Sequence, residues 1–237
     1  MTRARIVRLI AGGLAAATTL SLAGATAAHA LPANPSTATL ARLKQKGDSA
    51  ITDRLAVLQQ LTAEVNGAKH LAPGDKSTLV GQLSADVSGL TQLKSTIDAE
   101  TNPISLVTEL RSIVSAYRVY VEMAPKVHLI RADDWVIDVT TTITGIEPKL
   151  QAAITAKGNP AAAVSAYSDL VAKVSAAEGL ANGLTAQLEA LTPPQYPAPA
   201  QTTLRAARQA LGSAAADLKQ ARADLQNIRD ALKNGNS

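Results

Sequence analysis

Val136-Ile137-Asp138-Val139-Thr140-Thr141-Thr142-Ile143-Thr144 is the one stretch that argues against an all-helical chain. It is rich in β-branched residues, and Ile137, Val139, Thr141 and Ile143 would share one face of a strand. A wider window reverses that reading. Leu129, Ala132, Val136, Val139, Ile143, Ile146, Leu150 and Ala153 recur at alternating steps of three and four, the spacing of a helical seam. No second stretch offers a partner strand, and a lone strand leaves its backbone groups unpaired. The spacing therefore predicts a helix over residues 126–157, bent at Gly145 and Pro148.

The segments on either side follow the same grammar. Residues 36–68 carry Leu40, Leu43, Ile51, Leu55, Leu58, Leu61 and Val65 on one face, and residues 73–100 carry Leu79, Leu83, Val87, Leu90, Leu93 and Ile97. Pro73 suits a first helical position, and Asp75 places negative charge in the first turn. Asn102-Pro103 caps a third helix over residues 103–123, which Pro125 is expected to break or kink. Gly158, Asn159 and Pro160 punctuate the start of a fifth helix, with Leu170, Val174, Ala177, Ala181, Leu184, Leu188 and Leu191 as its seam. Pro193, Pro194, Pro197 and Pro199 read as a stiff extended connector over 193–199. In the last segment, 200–233, Leu204, Leu211, Leu218, Leu225 and Leu232 repeat every seven residues, with Ala207, Ala214, Ala221 and Ile228 between them. The fold expected is all-α: elongated antiparallel bundles, as two successive three-helix bundles over 31–124 and 125–237, with a single bundle as the alternative.

Residues 1–30 read as a secretory signal peptide. Arg3, Arg5 and Arg8 precede an uncharged apolar run, and Ala28-His29-Ala30 offers the small residues that a signal peptidase reads. Cleavage near Ala30 would leave an exported chain with no further segment apolar enough to span a bilayer. The chain has no cysteine, so helix packing alone must hold it. Hydrophobic residues make up 46% and aromatics 2%, with no Phe and one Trp, which favours an Ala- and Leu-lined core of closely spaced helices. Removing the signal arginines leaves 20 basic against 19 acidic residues. That balance excludes a phosphate-tracking nucleic-acid surface.

The run Ile51-Thr52-Asp53-Arg54-Leu55 through Val65-Asn66-Gly67-Ala68-Lys69, with Asp75 to Leu79, Asp86 to Leu90 and Tyr117-Arg118-Val119-Tyr120-Val121, resembles a group of secreted helical proteins of Gram-positive bacteria. The resemblance covers about residues 50–130. It implies export and helical hairpins, and supplies no catalytic residue.

The densest polar cluster is His128, Arg131, Asp133, Asp134 and Asp138, beside Trp135. Asp134 and Asp138 lie four apart on one helix face, so both carboxylates could meet a cation. Against this stands the commoner arrangement, a solvated helix start whose acids complement its own dipole. Tyr117 and Tyr120, with Arg118 between them, would form a recognition patch if exposed, although two Tyr at this spacing are more often core residues with wet hydroxyls. Tyr117, Arg118, Tyr120, His128, Arg131, Asp134, Trp135 and Asp138 are thus the candidate partner patch. His70 is a lone loop histidine. A Ser–His–acid set would need His70 or His128, and neither lies in a nucleophile-elbow context. No Gly-rich phosphate loop occurs, and no cofactor or metal is assigned.

Asp217 with Arg222 and Asp224 with Arg229 are spaced by five, as in a parallel zipper between chains over 204–232. Three seam alanines favour packing within the chain and hence a monomer. The function expected is a secreted, non-enzymatic structural or interaction module whose partner is an unknown protein or envelope component. A lipid or small-ligand carrier built on amphipathic helices is the alternative, and an enzyme or metal sink using Asp134, Asp138 and His128 a third.

Overall fold

Helix starts and stops in this chain are set by a few residues of special conformation, and the computed structural model describes residues 37–234. The signal segment expected over 1–30 and its cleavage site near Ala30 lie outside the described residues. Helix α1 spans Thr37–Gly67 and α2 spans Pro73–Ala99. Asn102 then caps α3, Pro103–Ser115, its side-chain oxygen accepting from the Ile104 N–H at 2.9 Å, with Pro103 at the first helical position as the sequence predicts.

The expected break at Pro125 does not occur. After a turn at residues 116–118 the chain enters one π-helical turn, Val119–Met123, which runs directly into α4, Ala124–Ala156. Pro125 sits in the first turn of α4, where its missing N–H costs least, and the wider π turn before it gives its ring room. The contested stretch 136–144 is helical, as its longer period requires. The stripe it buries differs from the expected one. Asp133, Asp134 and Thr140 face inward, whereas Ile146 and Ala153 are exposed.

The fifth segment is two helices. Asn182 ends α5, Ala161–Ala181, and Gly183 in the left-handed region (φ +77°) opens α6, Leu184–Glu189. An Asn-Gly pair is a strong turn signal, and here it overrides the apolar period. The proline connector is folded, not extended: Pro193–Gln195 is one 3-10 turn, and the Tyr196–Pro197 and Ala198–Pro199 peptides are cis. Helix α7 spans Ala200–Asn234.

Helices α1, α2 and α3 pack on one another, and α4, α5 and α7 do likewise. The division at residue 125 is not a boundary between bundles. Helix α4 also packs on α1, α6 on α2, and the described residues fall in one compact unit. The physical reason is the uninterrupted run from Val119 to Ala156, which carries one helix through both groups. No strand occurs among the described residues, and none of their helices is long and apolar enough to cross a membrane.

Candidate functional site

The continuity of the π turn with α4 brings Arg118, Glu122 and Lys126, spaced i, i+4, i+8, onto one polar edge. They line a cleft of about 200 Å³ together with Asp86 of α2 and Glu189 of α6. Glu122 and Lys126 are each only 2% exposed. Lys126 Nζ donates to the Leu191 carbonyl at 2.7 Å and to Gln82 Oε1 at 3.3 Å, and lies 3.7 Å from Glu122 Oε1. Glu122 Oε2 is buried without a partner, as is Glu189 Oε1. Arg118 Nε donates to the Pro193 carbonyl at 2.9 Å, and its guanidinium stacks 4.9 Å from the centre of the Tyr196 ring.

Burial works against charge on these groups, and neighbours of opposite charge work for it. It pushes the Glu122 carboxyl up, against the attraction of Lys126 and Arg118, and pushes Lys126 down, against Glu122 and Asp86. Burial likewise raises Asp86 and Glu189, with Lys126 opposing both. A buried ion pair is costly to form and costlier to break from one side.

About two helical turns beyond Lys126 on α4, Asp133 and Asp134 act on other helices. Helix α2 begins after Ala72 and α6 after Gly183, neither of which has a capping side chain. Asp134 Oδ2 accepts from the Ala72 N–H at 2.8 Å, and Asp133 Oδ2 accepts from the Thr185 N–H at 3.2 Å and its hydroxyl at 2.8 Å. Adjacent residues of α4 thus cap two helices remote in sequence. The expected reading, acids serving the dipole of their own solvated helix start, is corrected: both are buried, and the dipoles they meet belong to α2 and α6. Burial raises Asp134 to about 6, with the Ala72 N–H opposing and the hydrogen-bonded Asp75 carboxyl reinforcing the shift. Burial also raises Asp133, against the two bonds from Thr185.

The candidate patch does not form one surface. Tyr117 is half-buried and packs against Gly89 of α2, where a Cβ would overlap its ring. Tyr120 is exposed and lies under Arg54 of α1, 5.0 Å from ring centre to guanidinium carbon. Burial raises both phenols. Arg131 pairs with Glu64 of α1, and exposed His128 reaches the same carboxylate at 3.6 Å. Asp138 is half-exposed with its Oδ2 2.7 Å from His70 Nδ1, and Trp135 packs partly buried on the core. Asp134 and Asp138 therefore meet different groups of the α1–α2 connection instead of a shared cation. Among the described residues no three His, Cys, Asp or Glu side chains converge as metal ligands.

Sequence reasoning missed Glu122, Lys126, Asp86 and Glu189. The signal for the first two was the i, i+4, i+8 alternation of charge, hidden by treating Pro125 as a break. On the last helix, the two zipper acids are used within the chain: Asp217 pairs with Lys173 of α5 at 2.9 Å, and Asp224 is buried, accepting from Gln220 at 3.1 Å. No family model, curated protein or solved structure matches the chain.

Proposed function

We propose that the protein is an exported, non-enzymatic helical module that binds a partner at the cell envelope or outside the cell. The observation that carries this reading is the employment of its reactive side chains. His70, His128, Arg131, Asp133 and Asp134 each join one helix to another element, and none stands in an open cleft as a nucleophile beside a base. The signal grammar of residues 1–30 and the resemblance over residues 50–130 support export.

A second reading, carriage of a small ligand, is favoured by the cleft beside Glu122 and Lys126. Its charged lining suits a polar molecule better than a lipid chain. Mass spectrometry of the chain from fractionated producing cells tests export. The expected product begins at Leu31 and is found outside the cytoplasm; a full-length chain retained inside would overturn it. The exported product, mixed with envelope extract, should elute as a larger complex on size exclusion, and an unchanged elution volume counts against the interaction reading.

A further inference from the structure

The cleft between α2, the π turn and the α6–α7 connection has more carboxylate than it can satisfy. Asp86, Glu122 and Glu189 face it, against Lys126 and Arg118. Both cations are already engaged. Lys126 Nζ is held by the Leu191 carbonyl and Gln82 and stands 3.7 Å from Glu122 Oε1, and Arg118 is fixed between the Pro193 carbonyl and the Tyr196 ring. Neither turns a hydrogen toward Oε2 of Glu122: the residue lines the cleft, and this oxygen is buried without a partner. A buried acceptor with no donor is expensive and marks the place where a donor is missing.

We propose that this cleft binds a small protonated amine, whose N–H groups reach Glu122 Oε2 and the neighbouring carboxylates of Asp86 and Glu189. The inference rests on the small-ligand reading above and names its ligand class. An anion by itself is disfavoured, because it would meet three acidic side chains with Lys126 Nζ bonded elsewhere and only the terminal nitrogens of Arg118 left to receive it. A bare metal ion is disfavoured as well: it needs oxygens converging at about 2.0–2.6 Å, and no group of three acidic or histidine side chains in the described residues converges so. An alkylammonium has hydrogens that reach acceptors spread over several ångströms. The cavity of about 200 Å³ limits it to a short chain, since water occupies about 30 Å³ per molecule.

Two molecular forms share this chemistry, an amine or diamine and an amino acid, whose carboxylate would fall to the terminal nitrogens of Arg118. Calorimetric titration of the full chain with 1,4-diaminobutane, 4-aminobutyrate, succinate and 1,4-butanediol separates the cases. Saturable binding of one or both amines is expected, weakened about tenfold or more by Glu122→Gln, as befits loss of a charge-assisted hydrogen bond. Tighter binding of 4-aminobutyrate, lost in Arg118→Gln, would assign the zwitterion. Should Glu122→Gln fail to give a helical circular dichroism spectrum, Asp86→Asn serves in its place with a several-fold loss expected. Amine binding that neither substitution weakens overturns the assignment. Binding of succinate or butanediol but of neither amine overturns the ligand class and leaves small-ligand carriage standing, whereas silence from all four counts against both.

Discussion

Between α5 and α7 the buried side chains are Ala, Leu, Val and Ile, with Asp224 as the one acid. Along the run from Glu122 to Thr140, five buried side chains are polar: Glu122, Lys126, Asp133, Asp134 and Thr140. The first contact is a repeating surface in which small alanines let the two helices approach closely and leucines supply the buried area. The second is a set of particular bonds, each between named atoms, and each costly if one partner is lost. The difference teaches where tolerance lies: an apolar seam accepts substitutions that keep its volume, and a buried polar run does not.

Four measurements would break or sharpen that contrast. The largest effect is expected for Lys126→Ala, which leaves Glu122 buried without its cation. A loss of about 3–5 kcal/mol in urea unfolding follows from the usual cost of breaking a buried pair from one side. The double substitution Lys126→Met with Glu122→Gln should recover most of it. If the double variant is as unstable as the single one, the pair is not the source of the cost. Next comes Leu170→Ala in the α5–α7 seam. Leu170 is fully buried, and truncation of such a side chain costs about 2–4 kcal/mol, whereas Leu170→Met should cost under about 1.5 kcal/mol. An equal loss in both would contradict the tolerance assigned to this seam.

Asp133→Ala removes the acceptor at the start of α6 and should cost about 1–2 kcal/mol, while Asp133→Asn, which keeps an oxygen there, should cost little. The smallest effect is a pH dependence. Asp134 titrates near 6 in the folded chain, well above an unfolded aspartate at about 3.9. Its raised value means that the folded state holds a proton that the unfolded state has released. Its contribution is therefore fully present below the unfolded value and lost as pH rises through 6. Thermal or urea midpoints should rise by the equivalent of about 1 kcal/mol as pH falls from 7 to 5, and Asp134→Asn should flatten that part of the curve. A slope that Asp134→Asn leaves unchanged would assign the proton elsewhere.

The same contrast explains what could be read beforehand. The seams of α2 and α7 are visible because burial imposes a period on Leu and Ala, and the Asn102-Pro103 start is visible because cap and proline are adjacent in the chain. Even there the period drifts: position 224, beside the heptad Leu225, is the one buried, since a straight helix slips against a strict seven-residue repeat. Glu122 with Lys126 was illegible because Pro125 carries a strong local signal for a break, and only the π turn before it lets the helix proceed. Asp133 and Asp134 were legible as acids near a helix start but not as caps for α2 and α6. Nothing local links them to Ala72 or Thr185, which lie 62 and 52 residues away. The candidate patch dispersed for a related reason: sequence neighbours such as Tyr117, Arg118 and Tyr120 point to Gly89, Pro193 and Arg54 respectively.

The paired caps at Asp133 and Asp134 bear on the order of assembly. An isolated hairpin of α1 and α2 lacks the acceptor for its Ala72 N–H, and six-residue α6 is too short to persist alone. Both starts acquire their acceptor at the same moment, when this one turn of α4 docks. Ordering of the 68–72 and 182–184 connections is thereby tied to a single docking contact that spans more than fifty residues on either side, and an amide-exchange pulse during refolding is expected to show Ala72 and Thr185 gaining protection together.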